Sequence, residues 1–150
     1  MYRLAHVVNS LLDKGKESNV AITPLKLQKL LYFFYRDYLI ATGKPLFAYR
    51  FEPWEYGPVI AEVYYVFKHF GATPITEFMK DEEGKKISFD TNGRNQYSDT
   101  FNLMWLNFGT LSGRSLVMIT HQEGSAWYKA YQGDYPFLED CDIAADFTKL

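Results

Sequence analysis

Leu4, Val7, Val8, Leu11 and Leu12 recur at the spacing of one helix face, while His6, Asn9 and Asp13 fall on the opposite side. This predicts a first helix ended by Gly15. A second helix opens at Thr23-Pro24, an N-cap followed by a proline whose missing N–H is harmless at the first helical position, and runs to about Thr42 with Gly43 as its stop. Its apolar residues Leu27, Leu30, Leu31, Tyr32, Phe34, Tyr35, Tyr38 and Leu39 cover most of the circumference. Lys26, Lys29, Arg36 and Asp37 are left as a narrow polar stripe. A helix apolar on nearly every side must be surrounded, so this is the expected central helix. Gln28 falls inside the apolar sector, where its amide needs partners.

Phe47, Tyr49 and Phe51 alternate with Ala48, Arg50 and Glu52 and predict a short edge strand interrupted by Pro53. The segment Trp54-Glu55-Tyr56-Gly57-Pro58-Val59 then turns into a third helix, with Pro58 at its first position and Gly71 past its end. Val59, Ile60, Val63, Val66, Phe67 and Phe70 form its expected buried face. From 72 to about 97 the helical pattern fades into turn-forming stretches around Ile87 and Phe89, a loop or small hairpin. A fourth helix places Phe101, Met104, Trp105 and Phe108 on one face, with Leu103 and Leu106 on a second and Gly109 as terminator. Ser112 caps a fifth helix that ends near Gln122, with Leu111 set to staple onto Leu116. Ser125 caps a short sixth helix carrying Trp127 and Tyr131, and the acidic tail shows a weak helical pattern in Ile143 and Phe147. The expected fold is mainly α: a single domain over 1–150, a compact bundle of five to six helices around a buried central helix, with short strands or a hairpin in the connections.

Composition narrows the function classes. A chain of 150 residues buries about 70% of the surface it exposes when unfolded, enough to fold without metal or disulfide. Its one cysteine, Cys141, stands between Asp140 and Asp142 and reads as a bystander in a cytoplasmic protein. No apolar run reaches the roughly 18 residues of a membrane span, and the N-terminus lacks the pattern of a secretory leader. The net charge of -2 divides into about +3 for residues 1–75 and -5 for 76–150, short of the basic stripe that nucleic acid demands. Twelve tyrosines and twelve phenylalanines exceed what core filling favours, since each tyrosine hydroxyl needs water or a partner.

Motif chemistry is sparse. The chain lacks a phosphate-binding glycine loop, metal-ligand spacing among its three histidines, and a nucleophile elbow around Ser112 or Ser125. No catalytic residue, cofactor or metal is therefore assigned, and the expectation is a protein that is not an enzyme. Thr120-His121-Gln122-Glu123-Gly124-Ser125-Ala126-Trp127 is the densest polar constellation. His121 and Glu123 could transfer a proton, but an imidazole favoured by the helix dipole and fastening a helix junction is the preferred reading. Lys26, Lys29 and Arg36 read as a solvated stripe in preference to a cationic ligand patch, and Trp54 and Tyr56 as core packing in preference to ligand stacking. The fifth and sixth helices resemble a helix-turn-helix, but Lys129 is the one cation of the would-be reading helix, beside Trp127, Tyr128 and Tyr131. Exposed tyrosine and tryptophan are typical of protein interfaces.

Three blocks in order, Ile22-Thr23-Pro24-Leu25-Lys26-Leu27-Gln28-Lys29-Leu30-Leu31-Tyr32, Trp54-Glu55-Tyr56-Gly57-Pro58-Val59 and Thr120-His121 to Trp127, resemble the Panacea domain, the SocA-like antitoxin domain. Val63-Tyr64 and Phe67-Lys68-His69-Phe70-Gly71 are also similar to the family's third-helix pattern, so the likeness covers about 4–131. Ala126 stands where the family commonly has proline. The resemblance implies a helical antidote of a toxin-antitoxin module from bacteria, phages or mobile elements. Its partner would be a cognate protein toxin, neutralised by direct contact or, in the alternative, delivered to an ATP-dependent protease; a phage interaction protein without a toxin is the third reading. It further implies a shared scaffold built by Thr23, Pro24, Lys26, Gln28, Lys29, Tyr32, Trp54, Tyr56, Gly57, Pro58, His121 and Trp127.

Overall fold

Helix α1 (Leu4–Glu17) lays Leu4, Val7, Val8 and Leu11 into the core. Gly15 does not end it. The glycine lies buried within the helix because a Cβ there would come 2.5 Å from Ile22 Cδ1, and the chain instead leaves at Ser18 and reverses at Asn19, φ 55°. Asn9, expected on the polar side, is fully buried: its amide donates to the carbonyls of Met79 (2.8 Å) and Ile87 (3.0 Å) and accepts the Met79 N–H (2.8 Å). A buried amide is retained because it anchors backbone that lacks a helix or sheet of its own.

The computed structural model describes residues 1–87 and 91–147. Helix α2 (Pro24–Thr42) is capped by Thr23, whose hydroxyl accepts the Lys26 N–H at 3.3 Å, and is closed by Gly43 in the left-handed conformation, φ 72°. Leu27, Leu30, Leu31, Tyr32, Phe33 and Phe34 along it are all buried. It touches α1, α3, α4, α5, α7 and the sheet, as expected of a central element.

The predicted strand moves. Residues 47–51 stay irregular while Phe47 and Phe51 fill the core, and β1 (Glu52–Trp54) pairs antiparallel with β2 (Gly57–Val59) in the register Glu52–Val59, Pro53–Pro58, Trp54–Gly57. Pro53 thus lies within the strand, which a two-stranded sheet permits because a proline can face the edge that has no partner. Pro58 is likewise a strand residue, and α3 (Ala61–Phe67) begins three residues later, followed by a 3-10 turn (Lys68–Phe70). Val63 and Phe67 are buried, whereas Val66, expected inside, is 40% exposed.

The segment from 72 to 87 is mostly irregular with one isolated bridge, Lys80–Lys86, and Phe89 lies outside the described residues. Helix α4 (Gln96–Phe108) starts from a capping box between Asn95 and Ser98 and buries Phe101, Met104, Trp105 and Phe108, leaving Leu103 and Leu106 exposed. Helix α5 (Gly113–Thr120), capped by Ser112, ends two residues before the expected Gln122, and α6 (Ala126–Gln132) is capped by Ser125. The acidic tail forms a short α7 (Asp140–Ala144), burying Leu138 and Ile143 while Phe147 stays exposed. Among the described residues no helix is long and apolar enough to cross a membrane.

Candidate functional site

The polar residues of α2 are not a solvated stripe. Lys26, Lys29 and Arg36 are 5%, 0% and 8% exposed. Arg36 satisfies its guanidinium by pairing with Asp37 at 3.0 Å and lying over the Phe33 and Phe108 rings. Lys29 takes a different route. Its amine donates to the Pro58 carbonyl at 3.0 Å, and burial without a carboxylate partner lowers its pKa to about 7. Burial also lowers the pKa of Lys26. From the residue just before Lys29, Gln28 Nε2 donates to the Ile60 carbonyl (3.1 Å) while its Oε1 accepts the Ile60 N–H (2.9 Å). Two side chains of the central helix therefore hold Pro58 and Ile60, where the chain leaves β2 for α3.

Gly57 makes that approach feasible. Its φ is 110°, and a Cβ there would lie 2.7 Å from Lys29 Cε and 2.9 Å from Thr120 Oγ1. Any larger residue would be strained in its backbone and would collide with the lysine. The second strand of support comes from α6: the Trp127 indole donates to the Trp54 carbonyl at 2.7 Å. His121, just past α5, stacks on Trp127 with ring centroids 3.9 Å apart and planes 8° from parallel, and Trp127 in turn stacks on Tyr131. Burial first, and the nearby Lys29 second, lower the His121 pKa, so the imidazole fastens the α5–α6 junction as a neutral ring. The expected charge–dipole attraction is thereby replaced by stacking. Its Nε2 is enclosed without a hydrogen-bond partner, and Glu123 is exposed.

Two supporting residues escaped sequence reasoning in this role. Ser125, recognised only as a cap, also donates to the Thr120 carbonyl at 2.7 Å and so ties α5 to α6. Asp146 is 2% exposed, accepts the Tyr32 hydroxyl and accepts the Ala126 N–H at 3.3 Å. Tyr32 is held neutral far above its ordinary range, first by burial and then by Asp146. Tyr35 bonds Asp140 at 2.8 Å in the same way. The tail thus closes over α2 with its carboxylates on two buried tyrosines. Nothing in the local sequence distinguishes Asp146 from a solvated acidic residue.

Beside the hairpin a cavity of about 400 Å³ is lined by Leu25, Leu27, Gln28, Lys29, Trp54, Tyr56, Val59, Val63, Tyr64 and Phe67, among others. Tyr56 and Trp54 were expected in the core. Instead Tyr56 is 62% exposed at the hairpin turn, and Trp54 is half-buried, with its ring edge-on to Tyr64 at 4.8 Å and its indole donating to Glu52. Tyr65 and Leu25 extend the exposed apolar surface around this opening. The would-be DNA-reading helix buries Trp127, and its cation, Lys129, is paired with Asp142 at 3.3 Å. Among the described residues no group of His, Cys, Asp and Glu has the arrangement of a metal site. Cys141 is exposed.

The residues that converge here are those of the three sequence blocks, and the family model described as Antitoxin SocA-like, Panacea domain, matches residues 27–128. The chain belongs to the SocA-like Panacea family. Antitoxin SocA of Caulobacter vibrioides (strain NA1000 / CB15N) is 34% identical over 124 residues, which span 81% of this chain and 66% of that protein. No solved structure matches. The Panacea match takes in α2, the hairpin, α3, α4, α5 and the start of α6, while α1 and the α7 cover lie outside it. Ala126, where the family commonly has proline, supplies the N–H that Asp146 accepts, a bond that proline lacks the hydrogen to make.

Proposed function

We propose that this Panacea protein is an antitoxin that neutralises a cognate protein toxin by direct contact, without catalysis. The observation that carries the reading is its likeness to a relative named Antitoxin SocA. The geometry supports a binding role: Thr23, Pro24, Lys26, Gln28, Lys29, Tyr32, Gly57, Pro58, His121 and Trp127 act as scaffold, holding a hairpin whose turn presents Tyr56 beside Trp54, Tyr64 and Tyr65. Aromatic side chains displayed on a rigid support suit protein recognition, because they bury large area at small cost in side-chain freedom.

Co-expression with the adjacent gene tests the reading. The neighbour is expected to arrest growth alone and to be tolerated beside this chain, with the two co-purifying. A neighbour that is harmless alone, or that stays lethal with no complex formed, overturns it. Tyr56→Ala together with Tyr65→Ala is expected to weaken the complex at least tenfold while leaving the circular dichroism spectrum and thermal midpoint of the free protein within a few degrees.

A further inference from the structure

Two guanidinium groups of this protein are each held between a ring face and a carboxylate. Arg36 lies 4.9 Å over Phe33 and pairs with Asp37 at 3.0 Å, and Arg50 lies 4.5 Å over Phe137 and pairs with Glu139 at 2.9 Å. The mouth of the cavity beside the hairpin has the same two components and, among the described residues, no cation. Trp54, Tyr56 and Tyr64 supply the rings, and Glu55, exposed in the hairpin turn, supplies the carboxylate. Among the described residues no cation lies within ion-pair distance of Glu55. Glu52 adds a second carboxylate beside the indole, whose N–H it accepts at 3.3 Å. The lysines of this region do not fill the place. The Lys29 amine is fully enclosed and turned to the Pro58 carbonyl, Lys26 is buried outside the lining, and Lys68 lies over Tyr65, a ring that the lining does not include. An aromatic rim with an unmatched carboxylate attracts a cation, and guanidinium suits it better than ammonium because it stacks on rings and meets a carboxylate with a fork of donors. We propose that this opening docks an arginine of the partner protein, its guanidinium on the Trp54 and Tyr56 rings against Glu55, while an adjacent apolar residue of the same segment fills the chamber.

That the occupant is a protein rests on the antitoxin reading; the charge and shape of its contacting segment come from the opening itself. The buried part of the lining includes Leu27, Val63 and Phe67, an apolar surface beside the charged mouth within a chamber of about 400 Å³. Such a division fits an apolar side chain next to a long cationic one, whose methylene stem lies along the rings. A segment carrying a carboxylate at the same point would meet Glu55 and Glu52 and be repelled. Lysine in place of the arginine keeps the charge but loses the planar stacking, so it should bind severalfold more weakly. Because Glu55 is exposed, the contact should weaken with added salt.

The test follows the Trp54 indole N–H resonance of the intact protein as acetyl-Leu-Arg-amide is added, with acetyl-Leu-citrulline-amide as the uncharged control of closely similar shape. The arginine peptide is expected to move that resonance to saturation in the millimolar range, to leave the buried Trp105 of α4 in place, and to bind at least about fivefold more tightly than the citrulline peptide at low salt. Glu55→Gln should bring the two affinities together, and Tyr56→Ala should weaken both peptides severalfold. Both positions are exposed, so both variants keep the fold, which circular dichroism checks. Equal affinities for the two peptides, a preference that survives Glu55→Gln, a Trp105 shift that matches that of Trp54, or no shift at about 10 mM peptide overturns the site. In the complex with the neighbour-encoded partner, Glu55→Lys should cost at least about tenfold in affinity, and an undiminished complex overturns the docking. The peptide measurements use this chain alone. A partner that never binds therefore counts against the antitoxin reading, whereas one that binds the Glu55→Lys variant equally well counts against the arginine contact.

Discussion

Between Phe33 and Leu39 the central helix is packed against rings, whereas at Gln28 and Lys29 it is bonded to backbone. In the first region Phe33 stacks on Phe108 at 4.1 Å, Phe34 meets Tyr97 and Phe101 edge-on, and Tyr35 packs on Phe47 and Phe51. In the second, Gln28 and Lys29 bond the main chain of Pro58 and Ile60, with a cavity left open beside them. Ring packing is tolerant of small adjustments in direction, but a bidentate amide fixes one position of the strand it holds. One half of the helix thus supplies bulk stability, and the other determines where the hairpin stands.

The largest expected effect is in the ring-packed half. Phe34→Ala should cost about 3–5 kcal/mol, read as a lowered urea midpoint, because a fully buried ring leaves a cavity that its edge-on neighbours cannot fill. Gln28→Leu should cost about 1–3 kcal/mol although it makes the helix more apolar, since the buried Ile60 N–H loses its acceptor while the Ile60 carbonyl keeps only the Val63 and Tyr64 N–H groups. A cost below about 0.5 kcal/mol for Gln28→Leu would erase the distinction between the halves.

The third prediction concerns pH. Lys29 binds its proton more weakly in the folded state, near 7, than in the unfolded chain, where the ordinary value is 10.5. The penalty of burying its charge is therefore fully present below pH 7 and is relieved as pH rises from 7 toward 10.5, so stability should climb by up to about 1.4 kcal/mol per unit in that window. Urea titrations between pH 7.5 and 9 check this, and Lys29→Met should flatten the slope. The smallest effect, about 1 kcal/mol, belongs to Ala126→Pro, which removes the N–H given to Asp146 at a position where proline otherwise suits the helix. Its loss should vanish when Asp146 is already replaced by Ala with Ala126→Pro in the same chain, a double-mutant cycle that isolates the contact.

Local rules explain what was legible. Thr23-Pro24 and Gly43 bound α2 because caps and left-handed stops are written in adjacent residues. The enclosure of α2, the pairing required of Gln28 and the capping by Ser112 and Ser125 follow from periodicity and short-range hydrogen bonding in the same way. What could not be read depends on partners far along the chain. Lys29 looked solvated because its acceptor is a carbonyl 29 residues away, and Asn9 looked polar-facing because the backbone it holds lies 70 residues on. Gly15 and Gly57 show the same limit from the other side: their missing side chains answer Ile22 and Lys29, and neither contact has a local signature. The motif residues were identified by resemblance, but the chamber they border came only with the fold.

The oxygen that receives the Tyr32 proton belongs to a residue 114 positions downstream. Synthesis proceeds from the N-terminus, so α2, the hairpin and α6 are all made before Leu138, Ile143 and Asp146, which complete one flank of the bundle. Until residue 146 docks, the Tyr32 hydroxyl and the Ala126 N–H lack the carboxylate that accepts them. Closure of this domain is therefore a late, long-range event, completed only when the segment 138–146 docks on α2 and α6.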